Sequence, residues 1–126
     1  MKRRIAALTT LAFLALTASA FAQIWHVSTR LGSHYASPSA SGSCRVTDQP
    51  LFGMASITCG ATGAAVVHYP FTLRPGCGPN VSPTVDFLGR TPNVSAKTSN
   101  HKVDVAVRVS GRGKTVVSLV SISYYC

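Results

Sequence analysis

The chain has 126 residues, with twelve Lys and Arg against three Asp and no Glu, and a formal net charge of +9 at neutral pH. Asp48, Asp86 and Asp104 are its only acids, so the paired-carboxylate chemistry common among hydrolases has little material here. The excess of cations points instead to anionic partners.

Met1-Lys2-Arg3-Arg4 precedes an apolar run from Ile5 to Leu16 and small residues at Ala18, Ser19, Ala20 and Ala22. A cationic start, a short apolar segment and a small-x-small ending make a signal peptide. The run falls short of the roughly 20 apolar residues that span a bilayer. Cleavage is expected before Gln23, which would leave 104 of the 126 residues, enough for one domain with its own core. Loss of Lys2, Arg3 and Arg4 lowers the charge from +9 to +6. No later segment has the apolar length of a membrane span, so the exported protein is expected to be soluble in the periplasm, at the cell surface or outside the cell. The expected organisation is a signal peptide over 1–22, an N-terminal strand and flexible Ser/Pro/Gly segment over 23–43, and a disulfide-bonded β domain over 44–126.

Residues 23–29 read as a short strand, and Ala36-Ser37-Pro38-Ser39-Ala40-Ser41-Gly42-Ser43 reads as a flexible connection. Short strands are expected over 44–47 and 55–59. Val67, Tyr69, Phe71 and Leu73 share one face of a further strand, in which Pro70 suggests an edge position because it donates no backbone hydrogen bond. Another strand is expected over 84–88.

From Lys102 to Ser110, Val103, Val105, Val107 and Val109 alternate with Lys102, Asp104, Ala106, Arg108 and Ser110. That period of two marks a half-buried strand. Gly111-Arg112-Gly113 suits a tight hairpin, with the return strand over 114–126. There Val116, Val120, Ile122, Tyr124 and Cys126 share one parity, and Val117 and Leu119 break it. The middle of that strand is therefore covered on both faces or bulged. Without helical spacing after the leader, the fold expected is an all-β sandwich or barrel of six or seven short antiparallel strands.

Cys44, Cys59, Cys77 and Cys126 are the four cysteines, an even number in an exported chain, and two disulfides follow. Of three connectivities, Cys44 with Cys59 and Cys77 with Cys126 is preferred: the first joins neighbouring strands, and the second ties the C-terminal residue into the body. Isolated cysteines in an oxidising compartment do not suit zinc, and His26, His34, His68 and His101 match no metal-binding spacing.

Gly113-Lys114-Thr115 imitates the end of a phosphate-binding loop, but Arg108 stands where the first glycine belongs and a strand follows in place of a helix. No nucleotide or other cofactor is expected. Lys102 and Arg108 on one strand face, with Arg112 and Lys114 at the following turn, are the candidate cationic patch. The same charges also serve solubility and keep strand edges apart. Trp25 and Tyr35 are candidate stacking residues, with packing of the N-terminal segment as the competing use.

No catalytic or metal site is read from the sequence. The leading expectation is an exported, non-catalytic binding or structural module whose basic face meets an anionic surface polymer or an acidic protein. The alternatives are a small secreted enzyme or toxin of the histidine-dependent nuclease type, and a secreted hydrolase inhibitor presenting the loop Leu73-Arg74-Pro75-Gly76-Cys77-Gly78-Pro79.

Overall fold

The computed structural model describes residues 24–78 and 80–126; the expected signal peptide lies outside them. Nine strands form two antiparallel sheets. Sheet A contains β1 (Trp25–Leu31), β3 (Arg45–Gln49), β4 (Met54–Cys59), β6 (Val81–Gly89) and β9 (Gly113–Tyr125). Sheet B has the order β2 (Ala36–Gly42), β5 (Gly63–Thr72), β8 (Lys102–Ser110), β7 (Asn93–Ser99).

The core lies between the sheets. Val67, Tyr69, Phe71, Val103, Val105, Val107 and Val109 face it from sheet B, and Ile57, Val117, Val120, Ile122 and Tyr124 from sheet A. The alternation of β5 and β8 is thus the two-residue period of a strand with one buried face.

Long β9 organises sheet A. On one edge it pairs with β4 from Gly113 to Val117 and with β1 from Leu119 to Tyr125, so β4 and β1 lie end to end. On its other edge it pairs with β6. The break in parity is a bulge: Asp86 pairs with Leu119 and Phe87 with Val117, which leaves Ser118 as the extra residue. Val117 and Val120 can then both point inward, at 0% exposure, while Val116 turns to the outer face.

Three expectations change, and among the described residues nine strands stand where six or seven were expected. The Ser/Pro/Gly segment is not a loose connection but contains β2, paired with β5 from Ala36 to Gly42 and bulged between Ala36 and Ser39. Its side chains are small and exposed, so the pairing leaves no apolar alternation to read. β7 was similarly silent, with only Val94 and Ala96 packed inward. β5 is not an edge strand, since β2 and β8 flank it. Pro70 is tolerated because its nitrogen faces the β2 side, and β2 reaches no further along β5 than the Ala36–His68 pair. Lastly, Gly111-Arg112-Gly113 makes no hairpin: β8 belongs to sheet B and β9 to sheet A, so the turn arches between sheets. Both glycines have positive φ, at 76° and 150°, and the Arg90 guanidinium donates to the Arg112 carbonyl across the arch. The β7–β8 hairpin does form, through Asn100 and His101 at φ 46° and 63°, as a primed two-residue turn requires.

Both disulfides pair as expected, Cys44 with Cys59 and Cys77 with Cys126. Such bonds form in an oxidising compartment, and no helix among the described residues is long and apolar enough to cross a membrane. Closing loops of 15 and 49 residues stabilises by about 3 and about 4 kcal/mol on the chain-entropy model. Urea unfolding should therefore show the Cys77→Ser, Cys126→Ser double variant losing more stability than the Cys44→Ser, Cys59→Ser one.

Tyr69 is fully buried and its hydroxyl donates to the Gly32 carbonyl at 2.8 Å. Burial, with a smaller contribution from Tyr35, holds its phenol above the ordinary tyrosine range. A tyrosine pKa raised by folding favours the folded state only below the unfolded value of about 10. Stability should accordingly fall as pH rises above about 10. Tyr69→Phe should flatten that fall in urea titrations and cost about 1 kcal/mol at neutral pH through the lost hydrogen bond.

Candidate functional site

The candidate site is an open cleft of about 690 Å³ on the outer side of sheet B, at the corner where β2 stops short of the end of β5. Alternation brings the polar halves of three strands to this face: His68 from β5, Lys102 and Asp104 from β8, and Lys97 and Ser99 from β7. Arg30 reaches the same cleft from β1 of the other sheet, with Cζ 5.5 Å from the centroid of the Phe71 ring. Pro70 and the edge of the Phe71 ring thus give the cleft an apolar floor among three cations.

His68 and Asp104 sit diagonally across the β5–β8 pair, since His68 faces Ala106 and Asp104 faces Pro70. His68 Nδ1 lies 2.8 Å from Asp104 Oδ2; a carboxylate only accepts, so Nδ1–H is the donor and the carboxylate orients the ring. Lys97 is the cross-strand partner of Asp104 on β7. One carboxylate therefore stands against His68, Lys97, Lys102 and Arg30 in the same cleft, and the excess of charge is positive.

The four cations singled out in the sequence do not come together. Lys102 lines the cleft. Arg108 shares its strand face but pairs with Asn93 and Val66 at the far end, roughly 20 Å away at the usual rise of a strand. Arg112 is at the tip of the arch between the sheets. Lys114 lies on the outer side of sheet A, in a separate depression with Arg45, Thr47 and Thr58. The two sheets face away from each other, so Arg108 and Lys114 serve opposite surfaces.

Trp25 and Tyr35 separate too. Trp25 is half exposed on the outer side of β1 and meets Tyr125 edge to face, with centroids 4.6 Å apart. Tyr35 packs against the core, and burial first, then the charge of Asp48, raises its phenol pKa. Of the histidines, His26 stacks on Tyr124 with centroids 5.6 Å apart, His34 is exposed after β1, and His101 occupies the β7–β8 turn. Among the described residues, no group of three His, Cys or Asp side chains is placed to hold a metal ion.

No sequence motif marks Arg30, His68, Lys97 and Asp104 as a group. His68, Lys97 and Asp104 do lie at outward positions of their strands, which alternation marks once the strands are known. Arg30 could not be found that way, because it comes from the other sheet. No family model, curated protein or solved structure matches the chain.

Asp104 opposes the field of the cleft. Asp104→Asn should tighten a small dianion such as sulfate about twofold at low salt, on the roughly 0.5 kcal/mol scale of an exposed charge pair; a titration followed by amide chemical shifts at Lys97 and Lys102 reads this directly.

Proposed function

We propose that the protein is an exported, non-catalytic binding module that holds an anionic group of its partner in the sheet B cleft. The observation that carries this reading is the convergence of Arg30, Lys97 and Lys102 from three strands on one apolar-floored depression. Two disulfides hold the frame, and a carboxylate, sulfate or phosphate seated there would meet cations whose positions are set by sheet register. An anionic surface polymer and an acidic protein both satisfy this chemistry.

The test compares cation pairs on different surfaces. Lys97→Ser with Lys102→Ser should lower affinity for dextran sulfate at least about tenfold at low salt and flatten its salt dependence by about 1.4 to 1.8 logarithmic units, as expected for two lost ionic contacts. Arg112→Ser with Lys114→Ser should leave both nearly unchanged. The reverse pattern would remove the cleft from the mechanism.

The His68–Asp104 pair favours a second reading, a histidine-dependent nuclease, because a carboxylate at Nδ1 orients an imidazole as a general base. Turnover of RNA or DNA that His68→Ala abolishes, with folding intact, would replace the first reading by this one.

A further inference from the structure

Beside the cleft, β1 has an unusual arrangement of side chains and backbone. Ile24 and Cys126 exchange both backbone hydrogen bonds, and the Gly32 amide donates to the Ser118 carbonyl. By the alternation of antiparallel ladders, His26, Ser28 and Arg30 then bond to β9, and the N–H and C=O groups of Trp25, Val27 and Thr29 point the other way. Among the described residues, no strand pairs with that second edge. The Leu31 amide points there as well, while its carbonyl accepts from His34.

The side chains of β1 are inverted for a sandwich strand. Its inward positions carry His26, Ser28 and Arg30, opposite buried Tyr124, Ile122 and Val120, and its outward positions carry Trp25, Val27 and Leu31. Those three are 50%, 57% and 45% exposed. Beyond Leu31 lies the turn between β3 and β4, where Leu51 and Phe52 are 94% and 72% exposed and the Gly53 carbonyl accepts from the Ser33 amide. β3 occupies the next row of the sheet beyond β4, but nothing described occupies that row beyond β1, so sheet A has a step one strand wide.

A second depression, of about 560 Å³, runs along this step and is lined by Ser28, Thr29, Arg30, Leu31 and His34 together with Phe71 and Thr72. Arg30, Phe71 and Thr72 also line the cationic cleft, so the two depressions adjoin at these residues. One side of the combined groove offers free backbone groups and apolar side chains; the other offers Arg30, Lys97 and Lys102.

We propose that the groove takes an extended acidic segment of a protein partner, added as an antiparallel strand along β1. Alternate side chains of such a segment point to the two faces of sheet A. Apolar ones would cover Trp25, Val27 and Leu31, while acidic ones would turn inward to Arg30 and the adjoining cations. Charge complementarity selects this occupant over a second copy of the chain, because the described residues carry nine Lys and Arg against three Asp and two copies repel each other. A polyanion without a peptide backbone would satisfy the cations but leave the strand edge unpaired. The inference rests on the anion-binding reading above and adds the partner's backbone to it.

The experiment uses the exported protein and its single tryptophan, Trp25, as the fluorescent reporter on the edge. The probes are a short peptide of alternating glutamate and valine, a peptide of the same composition in two blocks, and dextran sulfate. Thr29→Pro removes only a donor that points away from β9, and Thr29→Ala keeps that donor. The alternating peptide should bind the natural protein and Thr29→Ala alike, bind the block peptide's site more tightly than the block peptide does, and lose at least about tenfold in affinity with Thr29→Pro. Dextran sulfate should be indifferent to the proline. Val27→Glu, which places a like charge on the edge without touching the backbone, should weaken the same peptide should Thr29→Pro fail to fold. Equal binding of the alternating peptide by all variants, or binding of dextran sulfate alone, would overturn strand addition and leave the anionic cleft standing. Failure of every probe to bind would overturn both.

Discussion

Strand β9 must satisfy its backbone groups on two edges over thirteen residues while keeping one face in the core. Among the described residues no other single strand spans its length: β6 covers one edge, and the other is shared by β4 and β1. Their junction falls at the Ser118 bulge, where the Gly32 amide donates to the Ser118 carbonyl and where a Cβ on residue 32 would collide with the Val117 carbonyl. Tyr69 holds the same spot from the opposite sheet through its hydrogen bond to Gly32. The core parity of β9, the seating of β1 and the closure of the sandwich therefore depend on one crowded crossing. A disulfide through Cys126 fixes the far end.

The position of the functional groups follows from this arrangement. Because β1 shares an edge of β9 with β4, it stands without an outer neighbour among the described residues and can lend Arg30 to the other sheet. Because β2 ends at the Ala36–His68 pair, the last part of β5 is open to receive it. Cations that are far apart in the chain meet there, whereas the four that look like a group around Gly111-Arg112-Gly113 are divided between two surfaces by the arch.

Where burial leaves a periodic trace, the sequence is readable. β8 appears with its bounds intact because four valines alternate over nine residues, and the break at Val117 and Leu119 in β9 marks a real bulge. Cysteine pairing was likewise legible, since Arg45 opposes Thr58 and the next pair outward is Cys44 with Cys59. β2 and β7 are edge strands held mainly by backbone pairing, and small polar side chains give no alternation to detect. The arch looks like a hairpin in the sequence because glycines mark a reversal without specifying whether the next strand stays in the same sheet. Arg30 needed knowledge of how the sheets pack, which no local pattern contains.

Backbone amide exchange along β1 tests the central claim most directly, because it reports which edge each residue presents. If β1 lies against β9 with its outer edge open, the His26, Ser28 and Arg30 amides exchange slowly and those of Trp25, Val27 and Thr29 exchange quickly in the free protein. Uniform protection of all six would mean that the edge is already covered, and uniformly fast exchange would mean that β1 does not belong to the sheet; either would contradict the account.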